Sequence, residues 1–378
     1  MTETALGLYI HWPYCARICP YCDFNVYRAR GADDELFAAI MVDLDFWSGK
    51  MPGRKLTSIH FGGGTPSLLT PHQIAALIER AAKRFGFHNN IEIGLEANPN
   101  DCDGFQGFAS AGVNRLSLGV QSFYDDALIA LGRDHDGSAS RKALDKALGV
   151  FERVSIDLIY AREGQSLDAW ATELGDALKT GPDHLSLYQL TIEPGTAFDK
   201  RVARGDLKPP GENIAEQLFR LTQTVCAEHG FEPYEISNHA RPGSDSRHNR
   251  LYWEGADWIG IGPGAHGRIG SHATGGRALT ETALRPADYI RRVSETGTGS
   301  TSSTLSALDE VRERILMGMR ISDGLDLARI EQLTGLTVDH VEAARYVEQG
   351  WLSISDHRLA FTPEGRLLAD GIAAAICP

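Results

Sequence analysis

The sequence predicts an α/β fold built on a parallel sheet, followed by a small winged-helix-like domain. Three observations carry this. Apolar runs of strand length alternate six times with amphipathic helix-length segments, at intervals of about 30 residues, as repeated βα units do. Polar residues gather at or near the carboxyl ends of successive strands: Gly62 to Thr65, Glu96, Gln121, Asp157 and Tyr188. A barrel brings such ends onto one rim, which favours it over a doubly wound sheet. Beyond residue 308 the texture changes to short helices and a hairpin pattern.

Taken in order, residues 7–11 form a first strand. Residues 33–48 form a helix striped by Leu36, Ile40, Leu44 and Trp47. The second strand, 55–61, runs into Gly62-Gly-Gly-Thr-Pro. Pro71 then suits the first turn of a helix carrying Ile74, Leu77, Ile78, Ala81 and Phe85. Strands follow at 91–96, 115–120, 154–160 and 184–190, with helices at 102–111, 138–149 and 167–180 between them. Residues 212–229 make a strongly amphipathic helix through Ile214, Leu218, Leu221 and Val225, and 231–237 reads as another strand. Residues 270–275 read as an exposed turn, and the Gly/Thr/Ser-rich stretch 296–303 as a linker. The last part has a helical stripe at Val311, Ile315, Leu316 and Met319, helices at 327–333 and 338–348, and a hairpin over 350–361 turning at Asp356-His357. The expected division is 1–205 for the barrel, 206–300 for an extension of it and 301–378 for the C-terminal domain.

With 378 residues and 42% hydrophobic content, the chain can bury one large core and a smaller module. No apolar run approaches the roughly 20 residues needed to span a bilayer. Residues 1–6 lack the basic and apolar regions of a secretory signal, so a cytoplasmic location is expected, where thiols stay reduced. A net charge of −13 and helices without basic excess argue against nucleic acid as a partner. The C-terminal domain is accordingly read as a structural or partner-docking lid. Cys102, Cys226 and Cys377 are scattered singly, and Cys226 reads as a small buried hydrophobe.

The chemistry concentrates in Tyr9-Ile-His-Trp-Pro-Tyr-Cys15-Ala-Arg-Ile-Cys19-Pro-Tyr-Cys22, directly after the first strand. Three thiolates at CxxxCxxC spacing in one loop can converge on a single centre, and soft sulfur selects iron–sulfur clusters, zinc or copper. Zinc closes a four-ligand tetrahedron, so a zinc loop would need His11 or a distant fourth ligand. A cubane cluster held by three cysteines instead leaves one iron open. The glycine triplet Gly62-Gly-Gly leaves a strand end without side chains, so its backbone can approach a ligand.

This loop resembles the cluster loop of radical S-adenosylmethionine (SAM) enzymes. Tyr9-Ile-His-Trp-Pro before it, and Cys22-Asp-Phe-Asn25 after it, narrow the resemblance to the branch of oxygen-independent coproporphyrinogen III oxidases and the related HemW-type haem chaperones. The resemblance implies an incomplete six-stranded (β/α)6 barrel and a [4Fe-4S] cluster on Cys15, Cys19 and Cys22, whose fourth iron SAM chelates. Reduction of such a cluster sends an electron into SAM, and the barrel shields the resulting radical from water. Gly62-Gly-Gly-Thr-Pro is similar to the GGE-type motif that meets the SAM amino group, with Thr65 at the acidic position. Carried over residue by residue, the SAM shell comprises Tyr9, Tyr21, Gly63, Gly64, Thr65, Glu96, Gln121, Arg133 and Asp157, with Gln189 and His266 contacting less through their side chains.

Two functions follow from the branch: oxidative decarboxylation of coproporphyrinogen III, or binding of haem and its transfer to apo-haemoproteins. The oxidases show CxxxCxxCxC, whereas Phe24 stands where the last cysteine would be. They also carry an extension ahead of the cluster loop, and this sequence has little before Tyr9. His248-Asn249-Arg-Leu-Tyr252-Trp253 resembles the HNxxYW motif of the haem chaperones, in which a histidine and flanking aromatics could hold haem. Read without the family, His248 is a loop histidine and Trp253 a core residue. The resemblance favours the chaperone, without classical turnover. It implies haem, apo-haemoprotein acceptors such as respiratory enzymes, and an electron donor as partners, and it leaves room for a homodimer.

Overall fold

The computed structural model describes residues 5–29 and 33–378, so the leader reading of residues 1–6 falls mostly outside the described residues. Twelve strands form one continuous sheet. In chain order they are β1 (Leu6–Trp12), β2 (Leu56–Gly63), β3 (Phe87–Ala97), β4 (Arg115–Gln121), β5 (Arg153–Tyr160), β6 (His184–Gln189), β7 (Glu232–Pro233), β8 (Asn238–Ala240), β9 (Asp257–Ile261), β10 (His266–Ser271), β11 (Gly276–Thr282) and β12 (Ser300–Leu305). The spatial order is β12-β11-β10-β9-β1-β2-β3-β4-β5-β6-β8-β7.

Strands β1 to β6 are parallel neighbours in sequence order, the α/β arrangement expected for the partial barrel. Their near-continuous burial fits a sheet covered on both faces. The helix Pro71–Phe85 shows how local sequence fixes a connection. Thr70 and Gln73 make a reciprocal capping box, Pro71 occupies the first turn, and Gly86 ends the helix at φ +74. Its apolar face, Ile74, Leu77, Ile78, Ala81 and Phe85, joins the main core.

β1 is not an edge. Its outer side pairs in parallel with β9, Tyr9 facing Gly260 and Ile10 facing Ile261. Residues 257–261 thus supply a seventh parallel strand. At the other end β8 pairs antiparallel with β6, so neither end of the parallel run is left open. The strand expected at 231–237 is confined to β7, and the chain re-enters the sheet only at Asn238. The stretch expected to be a linker runs into β12, which pairs with β11 over six residues. The turn expected at 270–275 joins β10 to β11 as a single 3-10 turn, His272–Thr274.

A second core is built from Val311, Ile315, Met319, Leu325, Tyr346, Leu359 and Ile372 among others. Helices Ala307–Gly318, Leu327–Thr334 and His340–Glu348 precede a hairpin of Leu352–Ser355 and Arg358–Phe361. Asp356 and His357 both have positive φ, 48 and 63, as a two-residue hairpin turn requires. Leu325–Asp326 adds a third short strand, and a final helix, Ala369–Ala375, closes the domain. Among the described residues no helix is long and apolar enough to cross a membrane.

Candidate functional site

At the carboxyl ends of β2 to β6 lies a cavity of about 450 Å³. The loop from Cys15 to Phe24 forms one wall. Its base is held by a short parallel pairing of Tyr14–Cys15 with Tyr27–Arg28. Asn25 Nδ2 also donates to the carbonyls of Pro263 and Leu284, at 2.9 and 2.8 Å.

Twelve of the residues expected at the site line this cavity together: Cys15, Cys19, Tyr21, Cys22, Gly63, Gly64, Thr65, Glu96, Gln121, Arg133, Asp157 and Gln189. Thr65 N donates to Tyr14 O at 2.8 Å and Gly64 N to Trp12 O at 2.7 Å, which clamps the glycine turn to the cysteine loop. Gly63 sits at φ +109, and a Cβ there would come within 2.6 Å of the His11 ring. Only glycine fits, and the backbone faces the cavity bare. Gln121 ends β4 at φ +64, a left-handed conformation that a side-chain-bearing residue adopts at a price in strain.

All six cysteines are free thiols. Burial pushes the Cys22 thiol up to about 11 and raises that of Cys15, which the Thr65 hydroxyl hydrogen-bonds. Arg133 Nη1 donates to Cys19 Sγ at 3.2 Å and Nη2 to Gly119 O at 3.2 Å, while its buried Nε has no partner. Among the described residues no three His, Cys, Asp or Glu side chains are gathered as tightly as a single ion requires. A cubane cluster spaces its sulfurs more widely than a single ion does. Three thiols on one wall of a roomy cavity, with a cation beside them, therefore fit a cluster better than a zinc loop. His11, the fourth ligand a zinc loop could have used, is engaged on both nitrogens, by Tyr9 Oη at 2.9 Å and Asn25 O at 3.0 Å.

The opposite wall is acidic. Glu96 Oε2 accepts from Gly63 N at 3.3 Å, and its Oε1 lies 3.0 Å from His60 Nε2. Asp157 Oδ1 accepts from Ser117 Oγ at 3.1 Å. Burial lifts the Asp157 carboxyl to about 6, against the Ser186 hydrogen bond and with help from the charge of Glu96. Carboxylates, an amide and a guanidinium around a polar cavity can hold hydroxyl groups and a ligand carboxylate.

The remaining expected site residues lie elsewhere. Tyr9 is one layer behind the wall, its hydroxyl on His11. His266, at the start of β10, is exposed and faces Glu281 across the strand pair at 3.7 Å. The HNxxYW segment is not a loop but the helix Arg247–Trp253, capped by Ser246. His248 is fully buried, its Nδ1 2.8 Å from Ser58 Oγ and its Nε2 2.7 Å from Tyr252 Oη. Neither nitrogen is free for a metal in this conformation, and burial holds the ring neutral. Asn249 donates its backbone N–H to Ser246 Oγ in the helix cap. Tyr252 packs edge-on against Trp258 at 4.8 Å. Trp253 turns the other way, under Arg320 at 5.0 Å, into a second cavity of about 300 Å³ beside the C-terminal helices.

His60 was missed by sequence reasoning. It alternates with Ser58 and Gly62 on the inward side of β2, and the period of two was the signal that could have found it.

Residues 9–174 match the family model of the radical SAM superfamily, and 305–368 that of the HemN C-terminal domain. The mitochondrial radical S-adenosyl methionine domain-containing protein 1 of Mus musculus is 37% identical, covering 100% of this chain and 88% of its own length. The heme chaperone HemW of Mycobacterium tuberculosis is 33% identical over 100% of this chain and 96% of its own. That of Escherichia coli is 33% identical over 97% of both. The solved structure of the E. coli coproporphyrinogen III oxidase HemN, a radical SAM enzyme, superposes with a TM-score of 0.82 at 24% identity, over 98% of this chain and 90% of that one, a likeness of fold. A partial parallel barrel with a three-cysteine loop at its mouth defines the radical SAM class. Within that class, the chain belongs to the family of the heme chaperone HemW and radical S-adenosyl methionine domain-containing protein 1.

Proposed function

We propose that this protein is a haem chaperone whose barrel mouth binds a [4Fe-4S] cluster and SAM. The observation that carries the cofactor half is the single cavity shared by three free cysteines, the bare glycine turn and an acidic wall. The chaperone half is supported by relatives named as heme chaperones that match almost the whole length of the chain.

Cys15, Cys19 and Cys22 hold the cluster, which when bound supplies an open iron for SAM and a source of single electrons. Gly63, Gly64 and Thr65 present their backbone to the ligand's amino group. Arg133 pairs with its carboxylate, and Glu96, Gln121 and Asp157 accept from its hydroxyls. Tyr21 and Gln189 close the sides of the cavity. Phe24, 64% exposed, stands on the rim where the oxidase pattern has a further cysteine. Haem is taken by the helix Arg247–Trp253. For His248 to ligate iron it must first give up its bonds to Ser58 and Tyr252, so haem uptake requires this helix to move. The partners are haem, apo-haemoprotein acceptors and an electron donor, and the setting is cytoplasmic.

The test is made on protein purified without oxygen and reconstituted with iron and sulfide. Expected are four irons per chain, saturable SAM binding, a Soret band on adding haemin and transfer of that haem to an apo-haemoprotein. Conversion of coproporphyrinogen III to protoporphyrinogen IX by the same sample would make the protein an oxidase instead.

A further inference from the structure

Behind the acidic wall of the cavity lies a cluster of three rings, one of which, His60, has no role in the function proposed above. The cluster is formed by Tyr9 of β1, His60 of β2 and His248 of the motif helix. The His60 and His248 rings stack at 4.9 Å and 17°. Tyr9 lies nearly parallel to His60 at 6.3 Å and to His248 at 6.4 Å. His248 is fixed from both sides by Ser58 and Tyr252. His60 has one bonded nitrogen, Nε2, on Glu96 Oε1 at 3.0 Å, while its buried Nδ1 has no partner. A ring with a single bond to a carboxylate must carry its proton on that nitrogen.

Two glycines make room for this contact. A Cβ at Gly94 would come within 2.7 Å of His60 Nδ1. One at Gly62 would meet Tyr9 Cε2 at 2.9 Å, Glu96 Oε1 at 3.0 Å and His60 Cδ2 at 3.2 Å. The first glycine of the triplet therefore makes room for the ring cluster, as the second does for the His11 ring and the third for the backbone of Trp12 to Tyr14.

We propose that His60 is a positioning residue for the SAM pocket. It donates Nε2–H to one oxygen of Glu96, so the other oxygen is held toward Gly63 N and the ligand. His60 is in turn braced by the His248 ring, which ties the HNxxYW helix to the pocket. This rests on the reading of the cavity as the SAM site.

The test is a SAM titration of the cluster-reconstituted full chain. H60F keeps the ring and its stacking but removes the donor, and its SAM affinity falls about tenfold, as for one lost hydrogen bond to a charged group. H60Q, whose amide can reach Glu96, stays near wild type. Iron content and melting temperature stay unchanged in both. In an E96A background, where no acceptor is left for His60, the H60F effect shrinks to nothing, which a merely structural role would not produce. Should H60F lose its cluster, H60N, too short to reach Glu96, takes its place in the cycle. Equal SAM affinity of the donor-less variant and wild type, or an undiminished effect in E96A, overturns the assignment. A wild-type protein that binds no SAM overturns the reading of the cavity itself, and the positioning role with it.

Discussion

Arg133 reaches across 114 residues of sequence to donate a hydrogen bond to Cys19 Sγ at 3.2 Å. A permanent cation thus sits between the cysteine loop and the end of β4. Its other terminal nitrogen is tied to Gly119 O, so the guanidinium is held in place and not merely attracted.

This fixes the expected behaviour of R133A. The three thiols remain, so iron content after reconstitution should stay near that of wild type. SAM affinity should fall by about ten- to a hundredfold, the range for losing a hydrogen bond between charged groups. R133K should recover little of it, because a point charge on a flexible stem cannot copy the planar fork. Titration of SAM at matched iron content checks this, and an R133A protein that binds SAM normally would remove Arg133 from the ligand shell.

Much of this site was legible in the sequence, and for a definite reason. The cysteine spacing, the glycine turn and the strand-end residues Glu96, Gln121 and Asp157 are local signals, each tied to the end of a strand whose apolar pattern is plain. What was not legible depends on partners far away in the chain. Residues 257–261 are apolar and run into a glycine-rich stretch with no strand signal of their own, yet they pair with β1 some 250 residues earlier. Glycine is needed there because a Cβ at Gly260 would lie 2.1 Å from His266 O. Residues 300–305 have a linker's composition, but as an outer strand they need few buried side chains, and serine and threonine satisfy that. His248 reads as a ligand from its motif, while its burial follows from packing against β1 and β2, which no local pattern reveals.

The anchor of the cysteine loop is Asn25, whose amide nitrogen serves two carbonyls on the segment 263–284. N25A leaves Pro263 O without this donor and Leu284 O with only the Tyr27 hydroxyl, at 3.2 Å, and should destabilise the fold by about 2 kcal/mol. The more specific expectation is kinetic. With its loop less firmly tied to the barrel, the reconstituted variant should release iron to a chelator faster than wild type at equal temperature. Iron release at the wild-type rate would show that the loop is held by the cluster alone.

Asp43 sits under the sheet with Tyr289 Oη and Thr298 Oγ1 each donating to it at 2.7 Å. Burial lifts its carboxyl from 3.8 to about 6, outweighing those hydrogen bonds. A raised value means that the folded state holds the proton more tightly than the unfolded one. Asp43 therefore favours folding most fully below about pH 4, and that contribution is lost as pH rises through about 6. Its size is on the order of 3 kcal/mol. The difference in melting temperature between wild type and D43N should shift against wild type as pH rises from 4 to 7. A difference that does not vary with pH would place the Asp43 carboxyl at its ordinary value.

The HNxxYW helix faces two ways, with His248 and Tyr252 toward the ring cluster and Trp253 toward the C-terminal domain. If haem is taken by drawing this helix outward, His248 leaves the face of His60, and the bond from His60 to Glu96 loses its brace. Haem loading should then weaken SAM binding several-fold, and by linkage saturating SAM should weaken haem binding by the same factor. The two titrations, SAM into haem-free and haem-loaded protein and haemin into SAM-free and SAM-saturated protein, give that factor independently. H248F, which keeps a stacking ring but cannot bond Ser58 or Tyr252, should bind SAM nearly as wild type does and lose the antagonism. Equal SAM affinity with and without haem would mean that haem binds without disturbing the ring cluster, and that the helix stays where it is.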